Sequence, residues 1–595
     1  MKIFKRSLAI LLAVGLFAGL LAAPSLAWVP ADEVTWEVDA RPVILIHGIM
    51  QSRVFLRDAA GEPVLGDNGR PVELFPPAVD ETALILQLVP ALLGSLALQC
   101  DVGLTRSIRA ALNEFAEPLR NDRYGRLVEN FEVERFPTSV ADMTDEERGF
   151  VYSMLPVQNV SGIIGEENVY FFTYNSFGNH RDIVSELYQF IQAVRERHGV
   201  DRVNLVPISL GGTLFNGLIE YYPSVRGQLN NVVITIGAMD GSNLAGDLFT
   251  KNLAIGNRDL YRDLFPLLLE DDVTGMLVNL ALRLFPRRMI HQIFDAVLEA
   301  LIGDVLSYHT MMWALVPSGH YETARELWLS GSSHDAIREQ TDAYHRAQLN
   351  SRATIQRMQA YYGVRLYVIA EHDFPMVPLG ATFRDYNADG LIQLDSASLG
   401  ATSAPLGSQL SEAHRAAVDP RYISPCGVID VSTATLPDHT FFFREQDHEG
   451  TGRSDIIIRL ITRLVSDAEY QDVFSMPEWP QFNYGRETRN LVGDMNWSRN
   501  YIDWDALAPE QLAQLEEAIA LVEAMLANTI VDPAQTAAAE QALRSALITL
   551  GYRSAPAPER LLDRAMPPLA RFINGAVYCL YGPRGFSDPV WLRWR

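Results

Sequence analysis

Lysine is almost missing from this chain. Lys2, Lys5 and Lys251 are the only three in 595 residues, so arginine supplies nearly all of the 49 basic side chains. We read that scarcity as a coding bias and not as a function. Basic charge is also short overall. The formal net charge is −24, and no basic stripe offsets it, which excludes a nucleic-acid partner held by phosphate contacts. Cysteine is scarce too. Cys100, Cys426 and Cys579 are far apart, which excludes a compact disulfide scaffold, and no Cys/His spacing suggests zinc. One disulfide is permitted, with at least one thiol left over. His180, His291, His309 and His320 are scattered and read as ordinary surface or core residues. Past the first residues no uninterrupted apolar run reaches membrane-spanning length.

The one long apolar run is at the start. Lys2, Lys5 and Arg6 precede an apolar core from Leu8 to Ala23, and Ser25-Leu-Ala27 offers small residues for cleavage. This pattern predicts a signal peptide over 1–27 and a mature chain from Trp28. Removing its three basic residues takes the net charge to about −27. The expected location is secreted, periplasmic or at the cell surface, with peripheral membrane or surface association. Composition is otherwise globular, with room for one large domain and additions.

The most informative stretch is Val203-Asn-Leu-Val-Pro-Ile-Ser209-Leu-Gly-Gly212. A short apolar run meets a serine, small residues follow, and Leu214, Phe215, Leu218, Ile219 and Tyr222 then recur at helical spacing. A strand turning sharply into a helix around a serine exposes a nucleophile, and the amide of Leu210 then points at a developing oxyanion. Pro207 and Ile208 depart from the usual Gly-x-Ser-x-Gly, and Pro207 suits only the end of a strand. Upstream, Arg41-Pro-Val-Ile-Leu-Ile-His47-Gly48-Ile49-Met50 reads as a buried strand ending in His-Gly. The amide of Ile49 is the expected second oxyanion donor, with His47 bracing the loop.

The acid has two candidates. Asp373 stands three residues past the strand-like Val364–Ala370. Asp389 lies in Asn387-Ala-Asp-Gly-Leu-Ile-Gln-Leu-Asp-Ser-Ala-Ser-Leu-Gly400. This second segment resembles the Asn-Asp-Gly-Leu-Val acid loop of bacterial triacylglycerol lipases. It is also similar to the Asp-Gly-Thr-Val loop of the lecithin:cholesterol acyltransferase group. The resemblance implies Asp389 as acid, with Asp373 as alternative. The base must follow. His448 precedes the apolar run Ile456–Ile461 and is favoured; His439, just before Phe441–Phe443, is the alternative, and His414 a further one. No cofactor is required for such chemistry. The start of a calcium loop is nevertheless present, and Asp385, Asn387 and Asp395 are candidate Ca²⁺ ligands, although Ser396 stands where the closing carboxylate belongs.

Taken together, the motifs over about 40–465 resemble the lipase and acyltransferase group of α/β-hydrolases. The implied fold is α/β, a mostly parallel sheet flanked by helices, with a helical cap and a helical C-terminal extension. The expected organisation is a first half of the core over 28–245, a cap over 246–360, a second half over 361–466 and an extension over 467–595. Gly61–Pro71 reads as a hairpin and Leu84–Leu98 as a buried or lid-like apolar helix. Cap helices are expected over Leu260–Leu284, Met289–Leu306 and Thr310–Leu329. At about 505–552 the extension reads as two Ala-rich helices with a turn at Val531-Asp-Pro533. That pair resembles a FIVAR-type module of bacterial surface proteins, with a packing or spacer role. Phe572–Tyr581, Trp591 and Trp594 are expected to dock on the body. The implied activity is hydrolysis of lipidic or bulky hydrophobic carboxylic esters. Acyl transfer or peptidase/amidase chemistry uses the same three residues. A non-catalytic surface-binding protein with the same fold is the reading from another class.

Overall fold

The computed structural model describes residue 34 and residues 36–552, apart from 67–68, 75–80, 156, 254–283, 470–471, 476–478, 485–490, 492–493, 496–497, 500–501 and 527–532. The segment 1–27, nearly all of the helix expected over Leu260–Leu284, Cys579 and the aromatic C-terminal stretch lie outside the described residues.

Seven strands form the central sheet: β1 (Val43–Ile46), β2 (Val169–Phe172), β3 (Val203–Pro207), β4 (Leu229–Thr235), β5 (Arg365–His372), β6 (Thr440–Arg444) and β7 (Phe482–Tyr484). Their order is β7-β6-β5-β4-β3-β1-β2, and every pairing is parallel. The strands read as continuous apolar runs because both faces are covered. On one face, Ile44, Ile46, Tyr170, Phe172, Leu205, Val232, Ile234, Leu366 and Val368 share a core with the helices α5, α6 and α10 defined below. Their alternates Val43, Leu45, Val169, Phe171, Val206, Val233, Tyr367, Ile369, Phe441 and Phe443 pack on the other face against α4 and α11.

Among the described residues the helices of seven residues or more are, in chain order, α1 (Glu81–Leu98), α2 (Leu104–Phe115), α3 (Asp145–Met154), α4 (Val157–Ile164), α5 (His180–His198), α6 (Gly211–Tyr221) and α7 (Asn243–Phe249). They continue with α8 (Arg287–Leu298), α9 (Ser318–Trp328), α10 (Asp335–Tyr362), α11 (Asp455–Ser466), α12 (Pro509–Leu526) and α13 (Pro533–Thr549). Asn179 caps α5 by accepting from the Arg181 and Asp182 amides, and Gly199 ends it in the left-handed conformation.

Two expectations change in detail, and the two readings of Leu84–Leu98 are narrowed. The sheet does not end near 466: β7 pairs with β6, and Val473 and Trp479 belong to the core beneath. A three-residue strand just after a proline carries too little alternation to be legible. Thr310–Leu329 is two helices, Thr310–Trp313 and α9, because Pro317 interrupts it. α1 is not wholly buried, since Leu92, Leu93 and Leu98 are exposed. The Gly61–Pro71 segment does fold back on itself through bridges Arg57–Pro63 and Leu65–Pro71. α12 and α13 form a hairpin whose Leu515, Val522, Leu543 and Leu547 share a core with Leu491 and Met495. Among the described residues, Cys100 and Cys426 form no disulfide.

Candidate functional site

The end of β3 builds the site. Alternate β3 residues donate to opposite neighbours: Asn204 and Ile208 toward β1, Val203 and Ser209 toward β4. The missing N–H of Pro207 therefore falls on the β4 side, and the pairing resumes one turn on, where the Ser209 amide donates to Thr235 O at 3.0 Å. Proline is accommodated at the cost of a single sheet bond. Ser209 has φ +53°, a left-handed conformation that a serine adopts only when its surroundings hold it. Those surroundings include the Ala238 amide, which donates to Ser209 O at 3.0 Å. Helix α6 starts at once. A Cβ on Gly211 would come 2.8 Å from Ile46 O, and one on Gly212 within 3.1 Å of the Ala238 amide. Gly211 therefore has no room for a side chain, and Gly212 has only a tight fit.

Ser209 Oγ lies 2.8 Å from His448 Nε2. His448 Nδ1 lies 2.7 Å from Asp389 Oδ2. The other Asp389 oxygen accepts from the amides of Leu391 at 2.9 Å and Ile392 at 2.7 Å, so the carboxylate is fixed at both ends. The His448 amide also donates to Asp389 O at 2.8 Å. Burial lowers the His448 pKa, but the Asp389 charge and hydrogen bond outweigh it, with Glu449 and Asp447 adding to them, and the ring ends above its ordinary value.

The loop after β1 approaches the serine from the other side. A Cβ on Gly48 would meet Ser209 Cβ at 3.1 Å and Oγ at 3.4 Å. The amides of Ile49 and Leu210 donate to no group among the described residues. His47 is fully buried, and burial pushes its pKa down to about 3. Its neutral ring bonds Gly48 O through Nδ1 at 2.5 Å and the Ser52 hydroxyl through Nε2. Tyr174 stacks on that ring, and its hydroxyl lies 2.8 Å from His47 O and 3.0 Å from Gly48 O. The Met50 amide donates to Ser176 Oγ. A cavity of about 50 Å³ opens beside this loop, bounded by Met50, Ser52, Glu73, Tyr174, Ser176 and Phe177.

The alternative residues are elsewhere. Asp373 Oδ2 accepts from Arg444 Nε at 2.6 Å and its Oδ1 from Asn387 Nδ2 at 2.9 Å. Burial raises the Asp373 carboxyl, but the His372 ring, Asn387 and Arg444 bring it below the usual carboxylate range. His439 packs its ring near Tyr367, and His414 Nε2 is 2.9 Å from Asp430 Oδ2. The calcium candidates do not fit as a set. Asn387 commits both side-chain atoms to Asp373, Asp385 is exposed, and Asp395 accepts from the Ser396 amide. Among the described residues, no three His, Cys, Asp or Glu side chains form a group able to hold a metal ion. Tyr174, Ser176 and Arg444 had no signal in the sequence, because each acts through a neighbour distant in the chain.

No protein-family model matches the chain, and no curated protein matches it. Among solved structures it is similar to one described as the crystal structure of the Tle4-Tli4 complex. That match has 10% identity and a TM-score of 0.29, and covers 71% of this chain and 98% of that one. The likeness is too weak to carry an argument. The parallel strand order, the covering helices and the strand–serine–helix turn themselves define the architecture as an α/β-hydrolase fold.

Proposed function

We propose that this protein is a serine hydrolase that cleaves carboxylic esters through an acyl-enzyme. The observation that carries the reading is the unbroken relay from Ser209 through His448 to Asp389, with contacts of 2.8 and 2.7 Å. His448 Nε2 takes the Ser209 proton as Oγ attacks the ester carbonyl. Asp389 holds the imidazole in the required tautomer and stabilises the imidazolium. The Leu210 and Ile49 amides receive the oxyanion, each strong donor contributing about 3–4 kcal/mol. His448 then protonates the departing alcohol, and water attacks the acyl-enzyme by the reverse relay. An acceptor alcohol in place of water gives acyl transfer on the same residues.

Lipidic or bulky hydrophobic acyl groups are the proposed substrates. The support is the apolar helix α1, which leaves Leu93 and Leu98 more than half exposed at 58% and 67%. Export is proposed from the pattern of residues 1–27 and places the enzyme where such esters reach it.

The test is labelling of the purified protein with a fluorophosphonate probe, beside Ser209→Ala. Labelling that disappears with the substitution supports an activated serine. A folded wild type that stays unlabelled in detergent sinks the reading and favours a binding protein on the same fold.

A further inference from the structure

We infer that Asp373 and Arg444 form a clamp that holds the acid loop against the base loop, making Asp373 a positioning residue that acts through Asp389. The inference rests on the proposed serine-hydrolase reading of the site.

One carboxylate joins two segments here. Its Oδ1 accepts from Asn387 Nδ2 at 2.9 Å, and the Asp373 amide returns a bond to Asn387 Oδ1 at 2.7 Å. Asn387 is buried and stands two residues before Asp389. The Oδ2 of Asp373 accepts from Arg444 Nε at 2.6 Å, and Arg444 stands four residues before His448. The backbone follows the same path. Asp373 has φ +60°, Phe374 N donates to Ala388 O at 3.0 Å, and Glu445 N donates to His372 O at 2.7 Å. The side chain of Asp373 is only 11% exposed, so the pair is shielded from solvent screening more than a surface ion pair. Each oxygen thus fixes one partner of the Asp389–His448 contact, although Asp373 does not reach the reacting atoms.

A plain structural ion pair predicts lower stability and nothing else. A clamp predicts a change at His448. The charged groups facing His448 are Asp389 from the acid loop and Asp447 and Glu449 from its own; those facing Asp373 are Arg444 and the His372 ring, which Glu445 also faces. The experiment uses the full chain with Asp373→Asn, Arg444→Gln, Arg444→Lys and the double variant Asp373→Asn/Arg444→Gln, which removes one charge of each sign. The readouts are kcat and KM on a soluble ester and titration of the His448 ring by NMR in ¹³C-histidine protein.

The clamp expects kcat to fall on the order of 10²-fold, as for a slight misplacement of reacting groups, with KM unchanged. It also expects the His448 titration to move to lower pH, in the double variant as well, and Arg444→Lys to recover more kcat than Arg444→Gln. Folded variants with unchanged kcat and unchanged His448 titration overturn it. If Asp373→Asn does not fold, equal behaviour of Arg444→Lys and Arg444→Gln overturns it in the same way. The NMR titration needs no turnover. A shift in a protein that never labels retains the clamp while the hydrolase reading fails.

Discussion

At the scale of single residues, His448 sets opposite demands on activity and stability. Its pKa is raised above 6.5 in the fold, so the protonated ring is favoured by folding. Its stabilising contribution is complete below the unfolded value near 6.5 and is lost as pH rises through the folded value. The proposed catalysis needs the neutral ring. We therefore expect kcat/KM to rise with a midpoint above pH 6.5 while the melting temperature falls across the same interval. A pH–rate profile run beside calorimetry checks this, and a midpoint at or below 6.5 contradicts it. Ser209, Asp389 and His448 were legible because each stands in a local pattern of strand end, Asx-rich turn or pre-helix loop. The same patterns also offered Asp373 and His439. Only the tertiary partners separate them: Arg444 occupies Asp373, and the fold turns His439 toward Tyr367.

Elements carry the next constraint. Strand β1 and helix α6 approach so closely that Gly211 has no room for a side chain, with Ile46 O at 2.8 Å from the added carbon. Gly211→Ala is expected to destabilise by about 1–3 kcal/mol through overpacking. Labelling at Ser209 should slow as well, because the same contact sets the turn. Urea unfolding and the labelling rate measure the two effects, and a variant as stable as wild type refutes the close-packing argument. The seven-stranded sheet was legible to the extent that its strands are apolar runs bounded by turn residues. β7 was not, since its three residues gain their place from pairing with β6. The break at Pro317 was marked in the sequence, but the helical pattern on both sides concealed it.

For the whole molecule, the β-sheet body extends past residue 466. The Asp39 amide donates to Ser466 O, and Ala468 to Glu37 O, so the segment entering β1 is tied to the segment leaving α11. A chain ended at residue 466 loses β7 and exposes the edge of β6, a surface prone to mispairing. It is expected to melt lower by more than about 5 °C, whereas a chain ended at residue 488 keeps the wild-type transition of the body. Equal melting of the two truncations would place β7 outside the cooperative unit. The division of the chain was legible as a change of composition, and its position was not, because the last strand follows a proline-bearing stretch and has no periodicity of its own.

The serine and its histidine are 239 positions apart in the chain, and the strand that carries the base pairs with β5 and β7 rather than with any strand near the serine. Contacts of such separation are slow to form, because chain closure must precede them. A ribosome that has finished the elbow around Ser209 has therefore made a strand and a helix but not the proposed nucleophile's partner. The Ser209–His448 contact forms only when the chain has been made past His448, about three quarters of its length, and has folded back across the sheet. On the proposed reading, the growing polypeptide stays inert toward esters until His448 has met Ser209.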